Sequence, residues 1–295
     1  MKYDLKQRTL YDYGAGVALS QHVLRLLPVD RPGQVVEAAS LRIAPPPGEQ
    51  AESRDFFGNA VHAIGFDAPH DRLDVVTTAR VEVTRADPPI ADLTPAWEVV
   101  RASAAASADL GPMSPVHGLY PSRAVPLVPA ITDYAATSFP PGRPVLAGAV
   151  ELARRIKADF TYEPGATDVS TPPAEAFSLR RGVCQDFAHI VIAGLRGLGL
   201  PVLYVSGYLR TLPPPGRQRL EGADATHAWV SVWCGPEVGW IGIDPTNAIP
   251  AGTDHVELAI GRDYVDVAPM QGVILAAGAH RLTVAVDVVP VAGAA

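Results

Sequence analysis

The sequence predicts an α+β protein: a β-rich, sandwich-like N-terminal domain, followed by a core in which a buried helix packs on an antiparallel sheet. Three observations support this prediction. Residues 34–43 and 73–84 have the alternation and the β-branched content of strands. Residues 184–198 form an apolar helix, and a helix that is apolar nearly all round lies between layers. Two further strand-like runs, 226–234 and 239–244, follow that helix.

The N-terminal domain is expected to span residues 1–110. Thr94 followed by Pro95 is a helix-start signal, because Thr caps an N-terminus and Pro suits the first helical position. The Ala/Ser-rich segment after it, through Gly111-Pro112, is the candidate boundary to a second domain, 111–295. The β-rich part shows no catalytic constellation, so a packing module is the expected role.

The second domain begins with short pieces punctuated by proline, among them one helix near residues 131–138. Residues 144–159 predict a longer helix, because apolar side chains recur there at helical spacing. A Pro-rich loop follows the buried helix and precedes the run 226–234. The chain ends in a strand at 282–289, which we expect to belong to this second domain.

Composition excludes several classes of protein. The 295 residues are 48% hydrophobic and 19% charged, with a net charge of −7 and no long basic run, which argues against nucleic-acid binding. We expect no membrane association, because no apolar segment approaches the roughly 18 residues that cross a bilayer. The first residues lack the apolar run of a secretory signal. Two cysteines cannot form a disulfide framework, and free thiols suit a reducing compartment, so the expected localisation is cytoplasmic.

Cys184 is the candidate nucleophile, since it stands at the start of the apolar helix. There the unpaired backbone N–H groups and the positive end of the helix dipole stabilise a thiolate, and they could also hold an oxyanion. An isolated cysteine is more often a small buried hydrophobe. We keep that interpretation for Cys234, whereas the residues downstream of Cys184 favour catalysis.

His227 and Asp244 are the candidate base and orienting acid. The two strand-like runs that carry them are joined by a short turn containing Gly235-Pro236. A hairpin centred on that turn places His227 directly opposite Asp244, and opposed residues have Cβ atoms about 4.5–5.5 Å apart. The carboxylate could then hold the imidazole and leave its second nitrogen for the thiol. The alternative is a histidine packed at a strand end, with an unrelated aspartate in a turn.

Further polar and aromatic residues in this stretch are candidates for orienting the triad or binding substrate. Asp186 and His189 lie three apart on one helix face, where a local ion pair or a buried hydrogen bond is the plainer interpretation. The two tryptophans of the hairpin could line a substrate groove or belong to the core. The full set is Gln185, Asp186, His189, Trp229, Trp240 and Asn247.

These motifs resemble the transglutaminase-like superfamily, in particular bacterial transglutaminase-like proteins described as candidate cysteine proteases. The matching pieces are Gly182-Val183-Cys184-Gln185-Asp186-Phe187-Ala188-His189, Ser206-Gly207-Tyr208-Leu209, Thr226-His227-Ala228-Trp229-Val230, Gly239-Trp240-Ile241-Gly242-Ile243-Asp244-Pro245-Thr246-Asn247 and Gly261-Arg262-Asp263-Tyr264. The first hundred residues are similar to that family's N-terminal β-region, through Tyr11, Tyr13, Leu24-Arg25-Leu26 and Phe57-Gly58-Asn59.

The resemblance implies a papain-like transglutaminase core with Cys184 as nucleophile, His227 as base and Asp244 as orienting acid. The expected activity is cleavage or transfer at peptide or glutamine carboxamide bonds through a thioester. The substrate would be a peptide or protein, with an amine as a second substrate if transfer occurs; hydrolysis is slightly favoured. We expect no cofactor and no metal. The alternative is an idle fold that serves as a binding or assembly module, and the sequence indicates no oligomeric state.

Overall fold

The computed structural model describes residues 1–211, 224–276 and 280–291, and strands dominate both ends of the chain. The strands are β1 (Lys2–Leu24), β2 (Gln34–Ala44), β3 (Glu49–Arg54), β4 (Ala60–Phe66), β5 (His70–Val83), β6 (Thr161–Tyr162), β7 (Arg181–Gly182), β8 (Val202–Leu209), β9 (Ala225–Trp233), β10 (Trp240–Asp244), β11 (Ile249–Pro250), β12 (His255–Gly261), β13 (Met270–Ala276) and β14 (His280–Pro290).

Most helices lie between the two strand-rich ends. They are α1 (Trp97–Ala105), α2 (Pro129–Ala136), α3 (Val145–Asp159), α4 (Pro173–Leu179), α5 (Cys184–Gly197) and α6 (Tyr264–Val267), with single 3-10 turns at Ala91–Leu93 and Pro115–Gly118. Among the residues described, none of the helices is long and apolar enough to cross a bilayer. The predicted Pro-rich loop before β9 falls within residues 212–223, outside the described residues.

The first sheet has seven antiparallel strands, β1 to β5 together with β13 and β14. The long strand β1 pairs along its first half with β5 and β14, and along its second half with β4 and β13. The pairing of β1 with β5 shifts register between Asp12 and Val17, and its pairing with β4 begins at Ser20, so the sheet has two halves along β1. Side chains from both halves form a buried apolar cluster that includes Val17, Phe66 and Leu73. The predicted β-rich N-terminal region therefore belongs to one seven-stranded antiparallel sheet.

The second sheet has five antiparallel strands in the order β11-β10-β9-β8-β12. One face of β9 presents Ala228, Val230 and Val232 to the cluster that contains α5, while Trp229 on the other face packs in a separate apolar cluster. This alternation is what a strand buried on both faces requires. Helix α5 is apolar nearly all round and is buried along most of its length, as the sequence predicts.

The predicted fold class is confirmed, but the assignment of the C-terminal strand is wrong. We expected that strand to belong to the second domain, 111–295. Instead β14 pairs with β1, from Tyr3 opposite Pro290 to Tyr13 opposite His280. This pairing satisfies the backbone groups along one edge of β1. In addition, apolar side chains of β1, β5 and β14 pack with Tyr208 and Val256 of the second sheet in a shared core. The boundary near residue 110 stays a prediction.

Candidate active site

Cys184 is the first residue of α5, and its side chain is partly exposed. Asp186 shapes the start of this helix: its Oδ2 accepts hydrogen bonds from the Val183 N–H at 2.8 Å and from the Thr167 hydroxyl at 2.7 Å. Burial raises the pKa of Asp186, and these donors partly offset that effect. Asp186 thus caps the helix, and these hydrogen bonds join it to residues around the helix start.

The loop before α4 is tied to the same helix start. Gln185 Nε2 donates to the Val169 carbonyl at 3.1 Å, and the Thr167 hydroxyl contacts Asp186 as described. Both contacts hold the segment that follows β6 against the first turn of α5. Gln185 therefore anchors a loop beside Cys184.

His227 and Asp244 meet, but in a different register from the predicted one. Trp240 lies opposite Trp233 and Gly242 opposite Ser231, so the hairpin is displaced by two residues from the expected pairing of Trp240 with Ser231. The turn is longer than expected, since the Cys234 N–H already bonds to the Gly239 carbonyl at 2.8 Å. A displacement of two residues keeps every side chain on its original face. His227 Nε2 and Asp244 Oδ2 are accordingly 2.8 Å apart, as diagonal rather than direct neighbours.

Asp244 is fully buried and accepts several hydrogen bonds. Its Oδ1 accepts from the N–H groups of Thr246 at 2.9 Å and Asn247 at 3.1 Å, and its Oδ2 accepts from Asn247 Nδ2 at 2.7 Å. Burial opposes the charge of Asp244, but hydrogen bonds from His227, from His255 and from Asn247 hold its pKa well below the usual range. The carboxylate is therefore ionised. Asn247, a candidate substrate ligand, is bonded to Asp244.

His227 is influenced by Cys184 as well as by Asp244. Burial alone would lower the pKa of His227, but hydrogen bonds to Asp244 and to Cys184 raise it to about 9. Because Nε2 faces Asp244, Nδ1 is the ring nitrogen left for the thiol. Asp244 and Cys184 thus both favour the imidazolium form of His227 at neutral pH.

His255 is a member of this cluster that sequence reasoning missed. It opens β12, is 1% exposed, and places its Nε2 at 3.3 Å from Asp244 Oδ2. Its Nδ1 accepts the Gly252 N–H at 3.2 Å, so the ring proton is on Nε2 and is donated to Asp244. The residue stands alone in an ordinary strand pattern, and no sequence motif marks it.

Tyr162 and Tyr204 also lie near the Cys184 thiol, and the sequence did not identify either of them as a site residue. Burial is the main cause that raises the pKa of the Tyr162 and Tyr204 hydroxyls, and the nearness of Cys184 adds to the effect in both. Tyr204 is buried in the core, whereas Tyr162 is 52% exposed. Tyr162 is therefore the one of the two that a substrate beside Cys184 could contact.

The other predicted residues lie away from the thiol or within the core. His189 is buried, accepts the Tyr264 N–H on Nε2 at 3.2 Å, and has a pKa lowered to about 4 by burial. It therefore holds α6 against α5 as a neutral ring. Trp229 is fully buried beside His227, with ring centroids 6.1 Å apart. Trp240 donates to the Met113 carbonyl at 2.8 Å and lines a cavity of about 680 Å³ next to the hairpin.

The cluster of His227, Asp244 and His255 is poorly suited to bind a metal ion. In the described part of the chain, His227, Asp244 and His255 are the group whose ligand atoms converge closely enough to hold one. A ligating imidazole must offer a lone pair, yet Nε2 of His255 carries its proton because Nδ1 accepts from Gly252. The geometry is that of a carboxylate hydrogen-bonded by two imidazoles.

Two family models match the chain on either side of the predicted boundary. Residues 3–82 match the bacterial transglutaminase-like N-terminal region, and residues 134–245 match the transglutaminase-like superfamily. The chain therefore belongs to the transglutaminase-like superfamily, which confirms the resemblance seen in the motifs. Within it, this chain also carries the bacterial transglutaminase-like N-terminal region.

Relatives and a solved structure extend over most of the chain. An uncharacterized protein of Mycobacterium tuberculosis is 38% identical over 306 residues, covering 99% of this chain and 94% of that protein. A protein-glutamine gamma-glutamyltransferase of Pseudomonas aeruginosa is 33% identical over 117 residues, covering 38% of this chain and 17% of that enzyme. The crystal structure of a proposed cysteine protease from Cytophaga hutchinsonii has a TM-score of 0.71 at 22% identity, covering 97% and 90% of the two chains, and shows the shared fold. Membership of the superfamily supports a thiol-dependent enzyme.

Proposed function

We propose that the protein is a thiol-dependent amide hydrolase or acyltransferase that acts on peptide or glutamine carboxamide bonds through Cys184, His227 and Asp244. The observation that carries this proposal is the hydrogen bond of 2.8 Å between His227 and the buried carboxylate of Asp244, together with the influence of Cys184 on the pKa of the same imidazole. A thiol at a helix start beside an imidazole, itself oriented by a buried carboxylate, is the arrangement that nucleophilic acyl transfer requires.

In the first half of the reaction the Cys184 thiolate attacks the carbonyl carbon and the C=O electron pair moves onto oxygen. Backbone N–H groups at the start of α5 stabilise that oxyanion. When the C–N bond breaks, His227 in its imidazolium form gives its proton to the departing amine or ammonia. The product is a thioester on Cys184, with a neutral His227 whose Nε2 still faces Asp244.

In the second half, water or an amine attacks the thioester while His227 accepts its proton. The C–S bond breaks, which restores the thiolate and the imidazolium. Water gives a carboxylic acid, and an amine gives a new amide. We favour hydrolysis slightly, because water is abundant and no described feature selects an amine.

The test is mass spectrometry of a peptide library incubated with the protein and a primary amine. Cleavage, deamidation and amine incorporation each give a distinct mass change. We expect turnover by the native chain and by Cys234→Ala, and a loss of about 10³-fold or more in Cys184→Ala, since removing a nucleophile leaves only residual catalysis. Unchanged turnover in Cys184→Ala would refute the proposed nucleophile. Unreactive Cys184 with no turnover would favour the binding module.

A further inference from the structure

The strand that carries His255 is held from outside its own sheet. β12 is an edge strand of the five-stranded sheet, with β8 on one side. On its other side, Gln34 donates from Nε2 to the Glu257 carbonyl at 2.9 Å and accepts the Glu257 N–H on Oε1 at 2.8 Å. Asn59 does the same to Ile260, with both distances 2.8 Å. These two buried amides supply the hydrogen bonds that a neighbouring strand would otherwise make.

Arg85, which follows β5, fixes the backbone at His255 itself. Its Nη1 donates to the carbonyls of Gly252 at 2.9 Å and His255 at 3.1 Å, and its Nη2 donates to the Glu257 carboxylate at 2.7 Å. Charge-assisted bonds of this kind are short and directional. All three side chains, Gln34, Asn59 and Arg85, come from the N-terminal region, so that region sets the position of β12.

Strand β12 contacts the proposed triad through the hydrogen bond from His255 to Asp244. His255 Nε2 and His227 Nε2 meet the same oxygen of Asp244, at 3.3 and 2.8 Å. His255 is fixed at both ring nitrogens, because Nδ1 accepts from Gly252, whose carbonyl Arg85 also binds. The fixed donor restrains rotation of the Asp244 carboxylate, which is what keeps one of its lone pairs directed at His227.

We propose that His255 is a positioning residue for the triad, and that the N-terminal sheet sets its place by binding β12 through Gln34, Asn59 and Arg85. This inference rests on the proposed function for its catalytic meaning. It assigns the bacterial N-terminal region a physical role, namely to complete the support of Asp244. His255 acts through Asp244.

The test compares His255→Leu, which removes both ring contacts, with His255→Gln, whose amide can donate to Asp244 and accept from Gly252. The measurements are NMR titration of His227 and the rate of Cys184 alkylation by iodoacetamide at pH 7. The titratable groups in contact with His227 are Asp244 of β10, Cys184 of α5 and the ring of His255. Neither measurement needs substrate turnover, so a failed activity assay leaves this test intact.

We expect the His227 pKa to fall by about one unit in His255→Leu, with alkylation of Cys184 slowed about tenfold, and both to return towards native values in His255→Gln. A second arm uses Arg85→Met, which should slow alkylation in the same direction. Arg8→Met is its control, because Arg8 pairs with Asp74 on the same sheet, away from β12. The inference would be overturned if His255→Leu kept the native His227 pKa and alkylation rate, or if it raised the His227 pKa. It would also be overturned if a folded His255→Gln variant showed no recovery, or if Arg85→Met and Arg8→Met had equal effects.

Discussion

The two cysteines of this chain occupy opposite environments. Cys234 follows β9, is fully buried in the apolar core, and has a pKa raised to about 12 by burial. Cys184 is partly exposed at a helix start and lies close enough to His227 to help raise the pKa of that imidazole. The same side chain is thus a core hydrophobe in one place and a candidate nucleophile in the other. The comparison shows that the helix terminus and the imidazole, not the thiol alone, define the site.

The largest expected difference between the two thiols is their rate of alkylation. A thiol with a pKa near 12 instead of the ordinary 9.0 is ionised about 10³-fold less at neutral pH, and burial also blocks the reagent. We expect iodoacetamide at pH 7 to modify Cys184 at least about 10³-fold faster than Cys234 in the native protein. A time course of peptide mass spectra measures both rates in one sample.

The control is Cys234→Ala, in which labelling of Cys184 should keep its native rate. In the unfolded protein the two thiols should react at similar rates, since both then have ordinary pKa values. Equal labelling of the two cysteines in the folded protein would remove the distinction between them, and with it the case for Cys184 as a nucleophile.

The next largest expected effect is a pH dependence of stability caused by His227, the imidazole beside Cys184. The folded-state pKa of His227, about 9, lies above the 6.5 of an ordinary histidine. A raised histidine pKa contributes stability that is fully present below pH 6.5 and is lost as the pH rises through 9. We expect the free energy of unfolding to fall between those two pH values, by at most about 3 kcal/mol. Urea unfolding across the pH series measures it.

His227→Gln is the matched variant for the pH series. It keeps a side-chain amide that can donate to Asp244 but does not titrate, so its free energy of unfolding should change less with pH in the same window. A native stability that stays constant across that window, and rises with pH below 6.5 instead, would mean that burial, not the partners of His227, dominates its pKa.

The sequence predicted which residues form the candidate site better than it predicted the strand register and turn length that position them. Face alternation placed His227 and Asp244 on one side of the hairpin, and this survived an error of two residues in register, because the side-chain period of a strand is two. The error came from the turn: Gly235-Pro236 marks its position but not its length. Turn length depends on hydrogen bonds such as that from the Cys234 N–H to the Gly239 carbonyl.

Long-range pairing explains the remaining differences. The apolar alternation of β14 predicts a strand but says nothing about its partner, which is β1 at the other end of the chain. His255 was missed for the same reason, since its contact with Asp244 depends on where β12 lies relative to β10. Local patterns predict elements and faces, whereas contacts between distant segments require the assembled fold.

The smallest predicted effect concerns the helix start that distinguishes Cys184 from Cys234. A methyl group on Gly182 would lie 2.5 Å from Asp186 Oδ2 and 2.9 Å from Asp186 Cβ. The carboxylate cannot simply move aside, because the Val183 N–H and the Thr167 hydroxyl hold it. Gly182→Ala should therefore displace the cap of α5.

Loss of this cap should lower the free energy of unfolding by about 1–2 kcal/mol and slow the alkylation of Cys184, whose thiolate depends on the geometry of the first helical turn. Gly16→Ala is the control, because a methyl group there meets no atom within 4 Å and the change lies in β1, far from α5 along the chain. Urea unfolding and the iodoacetamide time course on both variants give the two quantities. If Gly182→Ala lost stability but kept the native labelling rate, the helix cap would serve the fold alone, and the reactivity of Cys184 would depend on His227 rather than on the helix start.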